Sequence, residues 1–228
     1  MADSTGTDRR AVWAWAFYDF ANSAFTSLVV TFIYAVFFTE VIAADTITGS
    51  ALWSRGGAVT GRVVALASPV LGAVADRGGL RKLFLLVATA ACIVATTMLY
   101  TVPPGKASLA ITWFVIANIS YEMGIVFYNA FLPDIAPADR IGRVSGFGWA
   151  LGYVGGLVAL VIAFVGLVGP EVPMFGFSTE GGENIRAANL LVAIWFAVFS
   201  APLFLLVRED RSRASRSGGL VRVSIRQL

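Results

Sequence analysis

The chain has 228 residues, 57% hydrophobic and 14% charged, with a mean hydropathy of +0.77. Soluble globular domains run nearer about 45–50% apolar and about 25% charged, so the composition excludes a soluble domain and indicates an integral membrane protein. The net charge of +3 does not point to nucleic acid, because the arginines crowd the turns and the tail, where they meet anionic lipid headgroups.

Residues 1–10 are polar and end in Arg9-Arg10. The first apolar run, residues 12–43, is too long for a signal peptide, and is read as a helix spanning to about Val41 with Trp13 and Trp15 as interfacial anchors. The loop 44–50 lacks Lys and Arg, as an external loop should. A second helix is expected from about 51 to 75. A third, 83–102, is apolar all round, which suits a lipid-facing position. The fourth runs from about 109 to 132 and is broken by Pro133 and Pro137 in a turn that carries Arg140 and Arg143. The fifth covers about 144–168, an external loop follows with Glu171, Glu180 and Glu183, and the sixth covers about 187–207. Placing the basic turns inside puts about thirteen of the 17 Lys and Arg in cytoplasmic segments and only Lys106 and Arg186 outside. The expected fold is therefore an all-α membrane protein, a six-transmembrane-helix bundle with both ends cytoplasmic.

The orientation hangs on the short loop between the second and third helices, Gly72-Ala73-Val74-Ala75-Asp76-Arg77-Gly78-Gly79-Leu80-Arg81-Lys82. It resembles the signature loop of the major facilitator superfamily: Gly72, Asp76, Arg77, Gly79 and Arg81 match the pattern, Leu80 stands where a first basic residue would, and Lys82 follows as a further basic loop residue. Three segments are also similar to the vacuole amino-acid effluxer-like (autophagy-related) branch and its bacterial relatives. They are Trp15-Ala16-Phe17-Tyr18-Asp19-Phe20-Ala21-Asn22-Ser23-Ala24-Phe25, then Ser68-Pro69-Val70-Leu71-Gly72, then Tyr128-Asn129-Ala130-Phe131-Leu132-Pro133-Asp134-Ile135 through Gly152. The resemblance implies half of a 6+6 transporter: a first bundle over 1–207, and a basic segment 208–228 that is a cytoplasmic tail or the start of the linker to a second bundle. It further implies a bacterial plasma membrane protein that moves small solutes, with amino-acid efflux and proton coupling as the family's suggestion. The other class of function that fits six helices is a non-transporting half-length membrane subunit or assembly partner.

An ionisable group inside a membrane costs about 2.5–3.5 kcal/mol on insertion scales and needs a reason to be there. On the fourth helix Asn118, Glu122 and Asn129 share one face, with Tyr121 and Tyr128 in the adjacent stripe. Glu122 falls about 16 Å from the cytoplasmic end, near the midplane, where a carboxylate can bind an amine, carry a proton or make a structural pair. On the first helix Asp19, Asn22, Ser23 and Thr26 share a face; Asp19 is either a site residue or a cap at the interface. Arg55 and Arg62 are seven apart on the second helix, and Arg62 lies roughly 5 Å in depth from Glu122, its expected charge partner. Gly148, Gly152, Gly155 and Gly156 on the fifth helix permit close packing and partly resemble an antiporter glycine motif. Cys92 stands alone in an apolar run, so no disulfide or metal-ligand spacing exists, and the absence of histidine leaves proton chemistry to carboxylates. No nucleophile–base pair or phosphate loop is present; no enzyme activity, cofactor, metal or nucleic-acid partner is expected, only a solute, the bilayer and a second bundle.

Overall fold

The Asp8 carboxylate accepts from the backbone N–H of Arg10 and Ala11 and starts α1, Arg9–Ala24. The computed structural model describes residues 8–209, apart from the side chains of residues 76–78. The first span does not stay α-helical: it widens into π-helix over Phe25–Phe32, bends at Ile33, tightens through α2 (Tyr34–Phe37), and widens again over Phe38–Ile42. No Pro or Gly lies in this stretch; β-branched residues crowd it, and Thr26 and Thr39 turn their hydroxyls back onto the carbonyls of Ser23 and Val36.

The remaining elements are α3 (Thr46–Gly78), α4 (Arg81–Tyr100), α5 (Ala107–Asn129), the short α6 (Leu132–Ile135), α7 (Ile141–Ala163, continued as π-helix to Val168) and α8 (Glu183–Leu206). Six of the resulting segments are long and apolar enough to cross a membrane, and no strand occurs among the described residues. The α3–α4 turn is made by Gly79 at φ 58°, a left-handed position that favours glycine, while the Leu80 N–H returns to the Ala75 carbonyl at 3.0 Å.

Packing is centred on α1, which lies against α7 and α8; α4 lies against α5 and α8, and α3 against α5. Lipid offers no hydrophobic drive for helix association, so close backbone approach has to supply the contact. On α7 it does. A methyl group added at Gly155 would overlap the Phe20 carbonyl, one at Gly148 would lie 2.5 Å from the Trp15 ring, and one at Gly156 would lie 2.6 Å from Ser27 Oγ. Trp195 of α8 closes the same seam by donating its indole N–H to the Phe20 carbonyl at 3.2 Å.

Three expectations change. Trp15 is no interfacial anchor: it is 1% exposed and its indole donates to the Tyr128 carbonyl at 3.1 Å, whereas Trp13 is 50% exposed. α4 is not uniformly lipid-facing; Leu85, Ala88, Thr89, Cys92, Thr96 and Leu99 are buried, and the small residues among them let α5 and α8 come close. Glu183 is not loop but the first residue of α8, held by the Ser178 N–H and the Tyr100 hydroxyl. Of the basic tail, residues 210–228 lie outside the described residues, as do the side chains of Asp76 and Arg77.

Candidate functional site

α1 and α5 do not approach closely; large side chains span the gap between them. The Tyr128 ring stacks between Trp15 (4.4 Å between centroids) and Tyr18 (5.0 Å), and Phe25 meets Tyr121 at 5.2 Å. Because aromatic rings hold the backbones apart without filling the space, a cavity of about 250 Å³ remains between α1, α5 and α7. α1 and its π-helical continuation line it with Asp19, Asn22, Ser23, Thr26 and Ser27. α5 gives Tyr121, Ile125, Tyr128 and Asn129, and α7 gives Trp149, Gly152 and Tyr153.

Asp19 is in the middle of α1 rather than at its start, so it is not a cap, and it is 9% exposed. No ion pair reaches it among the described residues. Among its neighbours the Tyr128 hydroxyl is buried without a hydrogen-bond partner, and Asn22 Nδ2, which lies beside the Asp19 carboxylate, makes no bond of good geometry. Orphaned buried polar atoms cost about 1–3 kcal/mol each, and a cavity wall is where water or a solute can satisfy them. Gly152 keeps the cavity open, since an added methyl there would lie 3.1 Å from the Asp19 carboxylate and 2.8 Å from Ser23 Oγ.

The structure thus brings together Asp19, Asn22, Tyr121 and Asn129 and leaves Asn118, Glu122 and Arg62 outside the lining. On α5 it is the tyrosine stripe, not the Asn118–Glu122 stripe, that faces the cavity. The rotation is set by the Trp15–Tyr128 stack, a contact between positions 113 apart in sequence. Glu122 is half-buried on the adjoining face, Arg62 is exposed on α3, and no ion pair joins them.

Beneath the cavity a second polar group ties three helices. Arg81 Nη1 pairs with Asp134 Oδ2 at 3.1 Å and donates to the Ala130 carbonyl at 3.3 Å, and the Arg81 backbone N–H donates to Glu209 Oε1 at 2.6 Å. Lys82 Nζ donates to the Val207 carbonyl at 2.7 Å. At the end of α5 the Tyr128 carbonyl accepts from the Phe131 N–H as well as from Trp15, and the carbonyl of Ala130, just past the helix, accepts from Arg81. Sequence spacing singles out neither Asp134 nor Glu209. The Pro133-Asp134 pair in the α5–α7 turn is the available signal for the first; nothing local marks the second.

The profile of the family described as "Vacuole effluxer Atg22 like" matches residues 45–228. The chain belongs to that family. A Bacillus subtilis (strain 168) protein named as an uncharacterized MFS-type transporter, YxiO, is 26% identical over 199 residues, covering 86% of this chain and 46% of that protein. An Aquifex aeolicus (strain VF5) protein with no assigned function is 29% identical over 162 residues, 70% of this chain and 39% of that protein. The chain therefore spans less than half the length of these curated relatives. No solved structure gives a significant match. The matched stretch meets the first span in the fold, Tyr128 with Trp15 and Tyr18 and Gly152 with Asp19, while Arg81 and Asp134 pair within it; residues 15–25 themselves lie outside the match.

Proposed function

We propose that the chain forms one six-helix bundle of a secondary transporter, and that the Asp19 cavity is its small-solute site. Family membership supports a carrier rather than an enzyme, and the name of the Bacillus relative agrees with it. The observation that carries the site is a buried carboxylate without an ion partner, on the wall of a cavity, beside the orphaned Tyr128 hydroxyl. Charge buried in a membrane core is expected to serve a function. With no histidine in the chain, Asp19 is also the better-placed proton carrier than Glu122. Amino-acid export remains the family's suggestion for the cargo.

Asn129, Trp149 and Tyr153 of the lining are exposed, and alternating access needs a second wall. α3 supports this. Gly57, Gly61 and Gly72 recur at helical spacing with Ala65 and Ser68, and a methyl group at any of the three glycines would touch nothing within 4 Å. Such a face suits close approach by another helix, so a second bundle packs there, as a further stretch of chain, a second copy or a separate subunit. The positive-inside bias puts both ends of the bundle, the α3–α4 turn and the basic segment after 207 on the cytoplasmic side of a bacterial plasma membrane.

Reconstituting the full chain with its second bundle in liposomes and measuring counterflow of amino acids tests the reading. Wild-type protein should exchange solute, and Asp19→Asn should abolish gradient-driven accumulation with the fold intact. Undiminished accumulation by Asp19→Asn would remove the cavity from the transport path.

A further inference from the structure

The cavity lining is electrically one-sided. Asp19 carries its formal charge, and no Lys or Arg contributes to it. The titratable groups that face Asp19 from its surroundings are phenols: Tyr18 on α1, Tyr121 and Tyr128 on α5, and Tyr153 on α7. Nearby cations are committed or elsewhere, Arg81 to Asp134 and Glu209, and Arg62 on the exposed face of α3.

An ionised carboxylate held out of water needs a counter-charge close by. The protein supplies none within ion-pair distance, which leaves a bound proton or a cationic occupant to supply it, the two competing for the same carboxylate. The other walls favour the same sign. Ring faces of Trp and Tyr attract cations, and Trp149 and Tyr153 meet at 5.9 Å at the rim while Tyr121 stands inside; the Tyr128 ring, covered on both faces by Trp15 and Tyr18, turns only its edge and hydroxyl to the site. Hydroxyl oxygens of Ser23 and Thr26 can accept from an ammonium group. An anion would face the Asp19 carboxylate in a low-dielectric space with no cation to offset the repulsion. The space of about 250 Å³ has room for a small molecule.

We propose that this cavity takes its solute by a positively charged amine, with the Asp19 carboxylate as counter-ion and the aromatic rim as selector, and that it refuses anions. The proposal rests on the reading of the cavity as a solute site, but its test does not require transport.

Labelled phenethylamine is the probe, bound to the purified full chain in lipid nanodiscs. Phenylacetate and phenethyl alcohol serve as competitors of nearly the same shape with negative and zero charge. Unlabelled phenethylamine should displace the probe at millimolar concentration, and the anion and the alcohol should not. Asp19→Asn should weaken binding by about thirtyfold or more, the usual consequence of removing one partner of a buried charge pair, and Asp19→Glu should retain part of it. The competitor series uses unmutated protein, so it stands if a variant fails to fold. Equal displacement by phenylacetate, full binding by Asp19→Asn, or no binding of phenethylamine would each overturn the proposal. Counterflow with displacement by phenylacetate would leave the transporter reading and sink this one; Asp19-dependent amine binding without any flux would do the reverse.

Discussion

On α7, Gly148, Gly152, Gly155 and Gly156 press against Trp15, Asp19, Phe20 and Ser27 of the first span; on α3, Gly57, Gly61 and Gly72 stand on a face where an added methyl would meet nothing. The two helices carry the same kind of stripe and differ in what fills it. The α7 stripe is spent inside the bundle, bringing α1 close enough for its backbone to touch, and leaving room at Gly152 for the cavity. The α3 stripe is unspent within the described residues, and α3 is the span with the least of its apolar window buried. On α7 the small residues mark a contact that the structure shows; on α3 the proposed contact has no counterpart among the described residues.

Substitutions can break this comparison, beginning with the tightest point. Gly155→Ala forces a methyl group into the Phe20 carbonyl, which neither backbone can yield cheaply; a loss of about 3 kcal/mol is expected, read as collapse of the monodisperse peak in detergent and a fall in melting temperature. Gly152→Ala meets side chains that can rotate, Ser23 and Asp19, so its cost should be nearer about 1 kcal/mol. It should nevertheless narrow the cavity and lower solute binding more than stability. Gly61→Ala should be neutral or stabilising by about 0.5–1 kcal/mol in thermal melts, because it improves helix propensity and touches nothing. Gly61→Leu sharpens the contrast further. It should leave the melting of the bundle unchanged while weakening its association with a second bundle in crosslinking. If Gly61→Ala destabilises as much as Gly155→Ala, the two stripes are not different and the open-face account fails.

Much of the architecture is legible in composition, because runs of apolar residues and basic turns report the bilayer directly. Apolar runs locate the spans to within a few residues, and the Asp19–Asn22–Ser23–Thr26 face of α1 is the one that lines the cavity. Rotation that depends on distant partners is not legible in this way. Two stripes on α5 are equally polar by spacing, and the choice of the tyrosines over Asn118 and Glu122 is made by Trp15, whose place near the start of an apolar run suggests the interface instead. The π-helical turns after Ala24 are likewise hidden, since no Pro or Gly announces them. Arg81 is recognisable as a basic turn residue, but its partners Asp134 and Glu209 lie 53 and 128 positions away.

Cysteine accessibility tests the central claim, that the Asp19 cavity is a water-filled solute site, without naming a solute. Ser23→Cys places a thiol on its wall, and the native Cys92 is buried and should stay silent. In membranes carrying the full chain, membrane-impermeant methanethiosulfonates should label Ser23→Cys, the trimethylammonium reagent faster than the sulfonate reagent. A Thr48→Cys control at the exposed start of α3 should label with both and show no such preference. An unreactive Ser23→Cys beside a reactive Thr48→Cys would contradict the account, since a solute site that water and small cations cannot reach is not one.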